Sequence, residues 1–508
     1  MPSWLVGWSA LNPRADLPRR LPGSGTALPT LLWSEPQISL FWTAANPAGL
    51  ANPGLQARTD FIAARARERG TYRRPLDPGG RSLEQLMAQS WAPLAANFNV
   101  LGRVLIDREN ADPGTLAEDA EPYASSPFAT ADTTASATHL TRARLEGAAG
   151  WRLRHWSLGL TLGYEARDRE TIVAPLVRRS GRSGSGVVFG LSRGLGSVRI
   201  GVHGGFRNHN ETIDVFQKTG PGEVIQLEGY RDGPIIGVNA QNSYYRRIDG
   251  NEPWGGVGIE HQGRTRWLLF ADRSRLAEQR TRQQQDAPAL DRWRATGWSV
   301  GAAASRRIGG SLATVQATVR SLHGAGSLAL DTVGFKVTAD ERSVLIEAEL
   351  RRKAEPSQWA GVVGVTWWYQ DRHRANSLPD LSANVKSATP TLWGELGLPI
   401  SGSARVIVGG SFSRYGAIAK IPNPQSRSVF YQRFLAPELD LAARAATPFS
   451  FRLGFKYRLT GRTDAWLAGR IEELRPSGSA GPTQFGPSGT RSAASLVVGV
   501  SVGPPGTR

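Results

Sequence analysis

Cysteine is missing from all 508 residues, which removes disulfide frameworks, thiolate metal clusters and thiolate nucleophiles together. Missing too is any continuous apolar run near the roughly 18 residues that a transmembrane helix requires. If the chain crosses a membrane it must cross as strands, because a closed barrel is the other structure that satisfies every backbone amide in lipid. Lysine is scarce. Nearly all of the 61 Lys and Arg residues are Arg, and against 43 Asp and Glu they leave a net charge of +18. Charge of that size suits nucleic acid when it gathers on one stripe or helix. Here Arg is spread from Arg14 to Arg508, often at alternate positions within strands, so nucleic acid is not an expected partner. The seven His are scattered without ligand spacing, and neither a metal site nor a cofactor is expected. The first twenty residues lack the apolar core of a secretory signal. The expectation is that the native start lies upstream and that residues 1–27 are a non-native or disordered extension.

What the chain does have is alternation. Trp156, Leu158, Leu160, Leu162 and Tyr164 share one face of a strand, opposite Ser157, Gly159, Thr161, Gly163 and Glu165. Val198, Ile200, Val202 and Phe206 oppose Arg199, Gly201, His203 and Arg207. Val344, Ile346, Ala348 and Leu350 oppose Leu345, Glu347, Glu349 and Arg351, and Phe451, Leu453, Phe455 and Tyr457 oppose Arg452, Gly454, Lys456 and Arg458. Such a pattern sets one face in an apolar medium and the other in a polar one. The polar faces are crowded with Gly, Ser and Ala where a water-facing sheet would carry bulkier groups, as a confined lumen favours.

Strands are expected at 58–68, 83–91, 96–108, 139–151, 156–166, 185–193, 197–207, 253–261 and 265–276. Further strands are expected at 294–307, 311–322, 342–353, 359–370, 390–398, 404–415, 448–458, 464–474 and 493–502. Their lengths approach the roughly 9–11 residues of a tilted membrane-spanning strand. Tight turns at 194–196, 262–264, 308–310, 400–402 and 459–462 alternate with long connections at 109–138, 208–252, 323–341 and 416–447. Short periplasmic turns alternating with long outer loops are the topology of bacterial outer-membrane barrels. The expected fold is therefore all-β, a transmembrane antiparallel up-and-down barrel of about 18 strands (range 16–20) over residues 58–502. Residues 28–57 carry Pro29, Pro36, Pro47 and Pro53, which suits a plug or hatch and not a wall strand, and 503–508 is a tail.

Trp151, Trp156, Trp254, Trp293, Trp359 and Trp466 lie at or near expected strand ends and are candidates for an aromatic girdle. Arg199, His203, Arg207, Glu347, Glu349, Arg452 and Lys456 are candidates for the lumen lining. Two readings of the basic members stand together: an anion-attracting pore, or a ladder paired with inward acids.

The stretches EPYASSPFATADTTA (121–135) and GAAGWRLRHWSLGLTLGYEARDRE (147–170) resemble a family of uncharacterised outer-membrane β-barrel proteins known as a domain of unknown function. The resemblance implies fold and location and no substrate. Asn46, Pro47, Ala48 and Gly49, opening the run NPAGLA, are similar to the amino-terminal hatch of long-chain fatty-acid transport channels.

Gly499-Val-Ser501-Val-Gly503 spells a nucleophile-elbow pattern, but Pro504 and Pro505 follow where the elbow needs a helix, so no enzyme is expected. The leading functional expectation is a passive channel or uptake barrel. A non-transporting surface or secretion-partner barrel is the alternative, and a soluble basic β-rich binding protein a third. Expected partners are outer-membrane lipid and small anionic or apolar solutes.

Overall fold

Each of the eighteen stretches expected as strands overlaps a strand of one closed wall. In the computed structural model the described residues are 31, 41, 46–52, 54–73, 78–117, 128–173, 176–217, 224–230, 235–240, 243–283, 288–330, 333–352, 358–376, 382–420, 440–441, 444–477 and 489–503. The extension expected at 1–27 lies outside them, as does all but the first residue of the 503–508 tail.

The strands open with β1 (Arg58–Gly70), β2 (Gly80–Ala95), β3 (Phe98–Ala117), β4 (Phe128–Leu153), β5 (Trp156–Val173), β6 (Leu176–Leu195) and β7 (Val198–Gln217). A small hairpin, β8 (Val224–Tyr230) and β9 (Ile235–Ala240), stands between β7 and the next wall strand. The wall continues with β10 (Ser243–His261), β11 (Thr265–Gln283), β12 (Pro288–Ile308), β13 (Ser311–Leu330), β14 (Val333–Arg352), β15 (Ala360–Asn376) and β16 (Ala383–Pro399). After β17 (Ala404–Ser413) and its short continuation β18 (Gly416–Lys420) come β19 (Ala446–Arg458), β20 (Thr463–Pro476) and β21 (Arg491–Val502). Wall strands pair antiparallel with their neighbours in sequence, β7 passing directly to β10. Closure comes where β1 pairs with β2 on one side and β21 on the other, so no edge is left bare.

The pleat sorts side chains as the alternation requires. Outward residues such as Leu162, Val202, Leu269, Val319, Val365, Leu392, Leu453 and Val498 stay exposed in a continuous apolar belt, while Thr161, His203, Leu268 and Arg452 between them are buried inside. A belt of large aliphatic residues around a closed barrel can be stable only in lipid.

Three of the expected long loops need correction. β3 and β4 pair on into both ends of 109–138, β7 and β10 into both ends of 208–252, and β13 and β14 through nearly all of 323–341. Above the belt both faces of a strand meet water, so the period-2 contrast disappears while the ladder bonds persist. A sequence with no contrast reads as loop.

Candidate functional site

Inside the barrel, at the short-turn end, residues 46–52 lie across the wall instead of joining it. Pro47–Leu50 form one turn of 3-10 helix, and the Asn46 side chain caps it by accepting from the Ala48 amide at 3.0 Å. Proline at the first helical position loses no bond, since that amide has no intrahelical acceptor. Asn46 Nδ2 also donates to the Val202 carbonyl of β7 at 3.3 Å. From the far side Asn99 Nδ2 donates to the Leu50 and Asn52 carbonyls, each at 2.8 Å. Leu50 and Leu55 then enter an apolar cluster with the inward Ile62, Met87, Trp91, Leu101, Trp466 and Val497. Leu50 is fully enclosed. Two further contacts reach other sectors of the wall. Phe41 packs on Leu268, and the Leu31 amide donates to Glu395 at 2.9 Å.

The wall accepts this hatch because it is paved with glycine there. Gly150, Gly159 and Gly190 are register partners across β4, β5 and β6, and Gly201 partners Gly258 across β7 and β10. A Cβ on Gly159 would stand 2.1 Å from the Pro47 carbonyl carbon and 2.3 Å from the Ala48 amide. One on Gly150 would reach the Ala51 amide at 2.5 Å, and one on Gly190 would reach Asn46 Oδ1 at 2.1 Å. Gly201 and Gly258 leave the same kind of room for Phe41. Glycine weakens a strand, so its concentration under one short segment reflects close backbone approach.

A second use of inward glycine corrects half of the expected girdle. Trp151, Trp156 and Trp359 do face outward, between 42% and 47% exposed, near the short-turn ends. Trp254, Trp293 and Trp466 face the lumen instead. Each lies over the glycine directly opposite on the next strand: Trp254 over Gly205, Trp293 over Gly326 and Trp466 over Gly499. Trp393 over Gly364 and Phe270 over Gly301 repeat the arrangement. Nearness to a strand end does not set the face; the parity of the position along the strand does.

The lumen-lining candidates all point inward, and the ladder reading of their charges is the one the geometry takes. Arg199 stands 3.7 Å from Glu260, Arg207 pairs with Glu252, and Arg452 lies 3.0 Å from Glu395. Lys456 reaches Asp464 at 2.8 Å, and Glu349 accepts from Arg351 at 2.8 Å. Glu347 accepts from Gln316. His203 Nε2 is 2.9 Å from Asp272 Oδ1, with the Trp254 ring edge-on to its imidazole. Arg452 has a further consequence, because its partner Glu395 is the acceptor for Leu31 and so ties the ladder to the hatch. Asn99 and the glycine pavement were not singled out in the sequence. The pavement had a readable signal, since Gly150, Gly159, Gly201 and Gly258 each stand three residues in from a strand end at a tight turn.

At the outer end Tyr72, Leu441, Ala446 and Leu474 pack together beside Tyr415. Burial pushes the Tyr72 phenol up, with Tyr415 adding to the shift and Arg444 opposing it. Ser501 sits inward on β21, accepts from Arg58 at 3.3 Å, and is followed by one more strand residue.

A closed eighteen-stranded wall, apolar outside and polar within, defines a transmembrane β-barrel of the bacterial outer-membrane type. Within that class the chain belongs to the family of unknown function DUF6850, which matches residues 47–502. No curated protein matches it. Among solved structures it is similar to the ferric enterobactin receptor PfeA of Pseudomonas aeruginosa, at 9% identity over 90% of this chain and 85% of that one, with a TM-score of 0.39. The copper transporter OprC aligns at 8% identity over 88% and 80%, TM-score 0.40. The outer membrane transporter YddB from Escherichia coli aligns at 8% identity over 88% and 81%, TM-score 0.39.

Proposed function

We propose that the chain is a gated outer-membrane channel that admits small solutes when the hatch leaves its glycine shelf. The observation that carries this reading is the hatch itself, a capped turn held across the short-turn end of a barrel wide enough to leave a path once it moves. Among the described residues the hydrogen bonds between it and the wall use side chains, as at Asn46, Asn99 and Glu395, which suits a part that moves. Apolar or uncharged solutes fit better than anionic ones, because Arg199, Arg207 and Arg452 already face carboxylates. The apolar cluster around Leu50 and Leu55 offers a solute with an apolar body a surface once the hatch lifts.

Liposome swelling tests this. Vesicles carrying the full chain should swell slowly in arabinose, and vesicles carrying a variant without residues 28–57 should swell several-fold faster. Gluconate should enter the second set no faster than arabinose. Equal swelling by both proteins, or none by either folded protein, would contradict the proposal.

A further inference from the structure

We infer that the outward face of β11, β12 and β14, at the outer edge of the apolar belt, is a binding site for the phosphorylated headgroup of an outer-leaflet glycolipid. Arg273, Arg275, Arg292 and Arg294 all point away from the barrel and are exposed. None of the four has a hydrogen-bond or ion-pair partner among the described residues, in contrast to the paired cations inside. Register holds them together. Arg275 lies opposite Thr296, and Arg294 opposite Ala277, so Arg275 and Arg294 are diagonal neighbours at roughly 7–8 Å. Arg273 and Arg292 extend the same two rows. On β14 Arg342 joins the same face, across Ser321 from Trp298.

The acids nearby do not neutralise this group. Asp340 is taken by His323 at 2.6 Å, Asp371 by Lys386 at 3.6 Å and Asp249 by Arg247 at 2.9 Å. Like charges close together across a ladder repel, and an anion lying among them relieves that repulsion. Guanidinium groups match phosphate oxygens in bidentate geometry, so phosphate is the anion this fork suits best.

Depth names the source of the phosphate. Arg273 is the ninth residue of β11, and Leu269 below it is outward and 52% exposed. A spanning strand uses about 9–11 residues, so Arg273 and Arg275 sit at the upper limit of the hydrocarbon. Trp298, 47% exposed and directly opposite Arg273, marks the same level. A ligand held here has its phosphate among the arginines and its acyl chains on Leu269, Val300 and Val319. That is a lipid and not a free anion. The site stands on the outer wall and is independent of any movement of the hatch.

Native mass spectrometry of the folded barrel with diphosphorylated lipid A tests the inference. The full chain should retain the lipid, and Arg273→Gln/Arg275→Gln/Arg294→Gln should bind it at least tenfold more weakly. Dephosphorylated lipid A should be retained as poorly by the full chain as the phosphorylated lipid is by the triple variant. Arg65→Gln/Arg67→Gln, on the outward face of β1, should bind normally. Should the triple variant not fold, Arg275→Gln and Arg294→Gln singly should each weaken binding about threefold. Equal retention by the full chain and the arginine variants would overturn the site. Competition by inorganic phosphate at matched concentration would overturn the lipid as its ligand.

Discussion

Replacing Gly159 with Ala adds one methyl group to the wall beneath the hatch. That methyl carbon would stand 2.1 Å from the Pro47 carbonyl carbon and 2.2 Å from its oxygen. Both are backbone atoms, so no rotamer relieves the overlap and the turn itself must lift by more than an ångström. Lifting it breaks the Asn46 bond to the Val202 carbonyl, a loss of about 1 kcal/mol. It also begins to expose Leu50, whose full burial stabilises by roughly 1.5–3 kcal/mol. A hatch weakened by roughly 2–4 kcal/mol is open about thirty to several hundred times more often. The wall should not suffer, because Ala is a better strand residue than Gly. Hydrogen exchange reads this directly. The Gly49 amide, bonded to the Asn46 carbonyl, and the Ala51 amide, bonded to the Ala48 carbonyl, should exchange faster by that factor while β5 amides keep their protection. Gly102→Ala, where a Cβ meets nothing within 4 Å, is the control and should change neither. Unchanged exchange at Gly49 and Ala51 in Gly159→Ala would refute the shelf as the seat of the hatch.

Three more outcomes follow from the same geometry. Val319→Arg puts a charge in the lipid belt and should cost roughly 2–4 kcal/mol, abolishing the heat-modifiable folded band, whereas Thr318→Arg, facing the lumen, should keep it. Arg207→Ser removes a guanidinium from the buried Glu252 and should lower barrel stability in urea by roughly 1–3 kcal/mol, with little change in the reversal potential of the hatch-deleted pore. Brominated lipid should quench a barrel whose one remaining Trp is Trp151 strongly, and one that retains Trp466 alone weakly; equal quenching would undo the assignment of faces.

The membrane fold was legible because lipid imposes a contrast on every spanning strand, and Leu158, Leu160 and Leu162 against Ser157, Gly159 and Thr161 state it in six residues. Where lipid stops, so does the signal. Thr212 and Ile213 of β7, or Thr338 and Ala339 of β14, carry no contrast and still pair across a ladder. The glycine-rich inner face is legible in the sequence and its cause is not. Confinement is the general reason, but Gly159 serves Pro47 and Gly499 serves Trp466, and each names a partner far away in sequence. Neither partner can be read from spacing alone. Ion pairing was open for the same reason. Arg452 meets Glu395 of β16, two strands away, and only the register of the closed wall brings them together.

The gate is tested most directly by planar-bilayer conductance of the full chain beside a variant lacking residues 28–57, both first shown to be folded by heat modifiability. The full chain should conduct in rare, brief events, and the variant should hold a steady conductance of the size an open eighteen-stranded lumen allows. Identical traces from the two proteins, or a folded variant that never conducts, would contradict a barrel closed by its hatch.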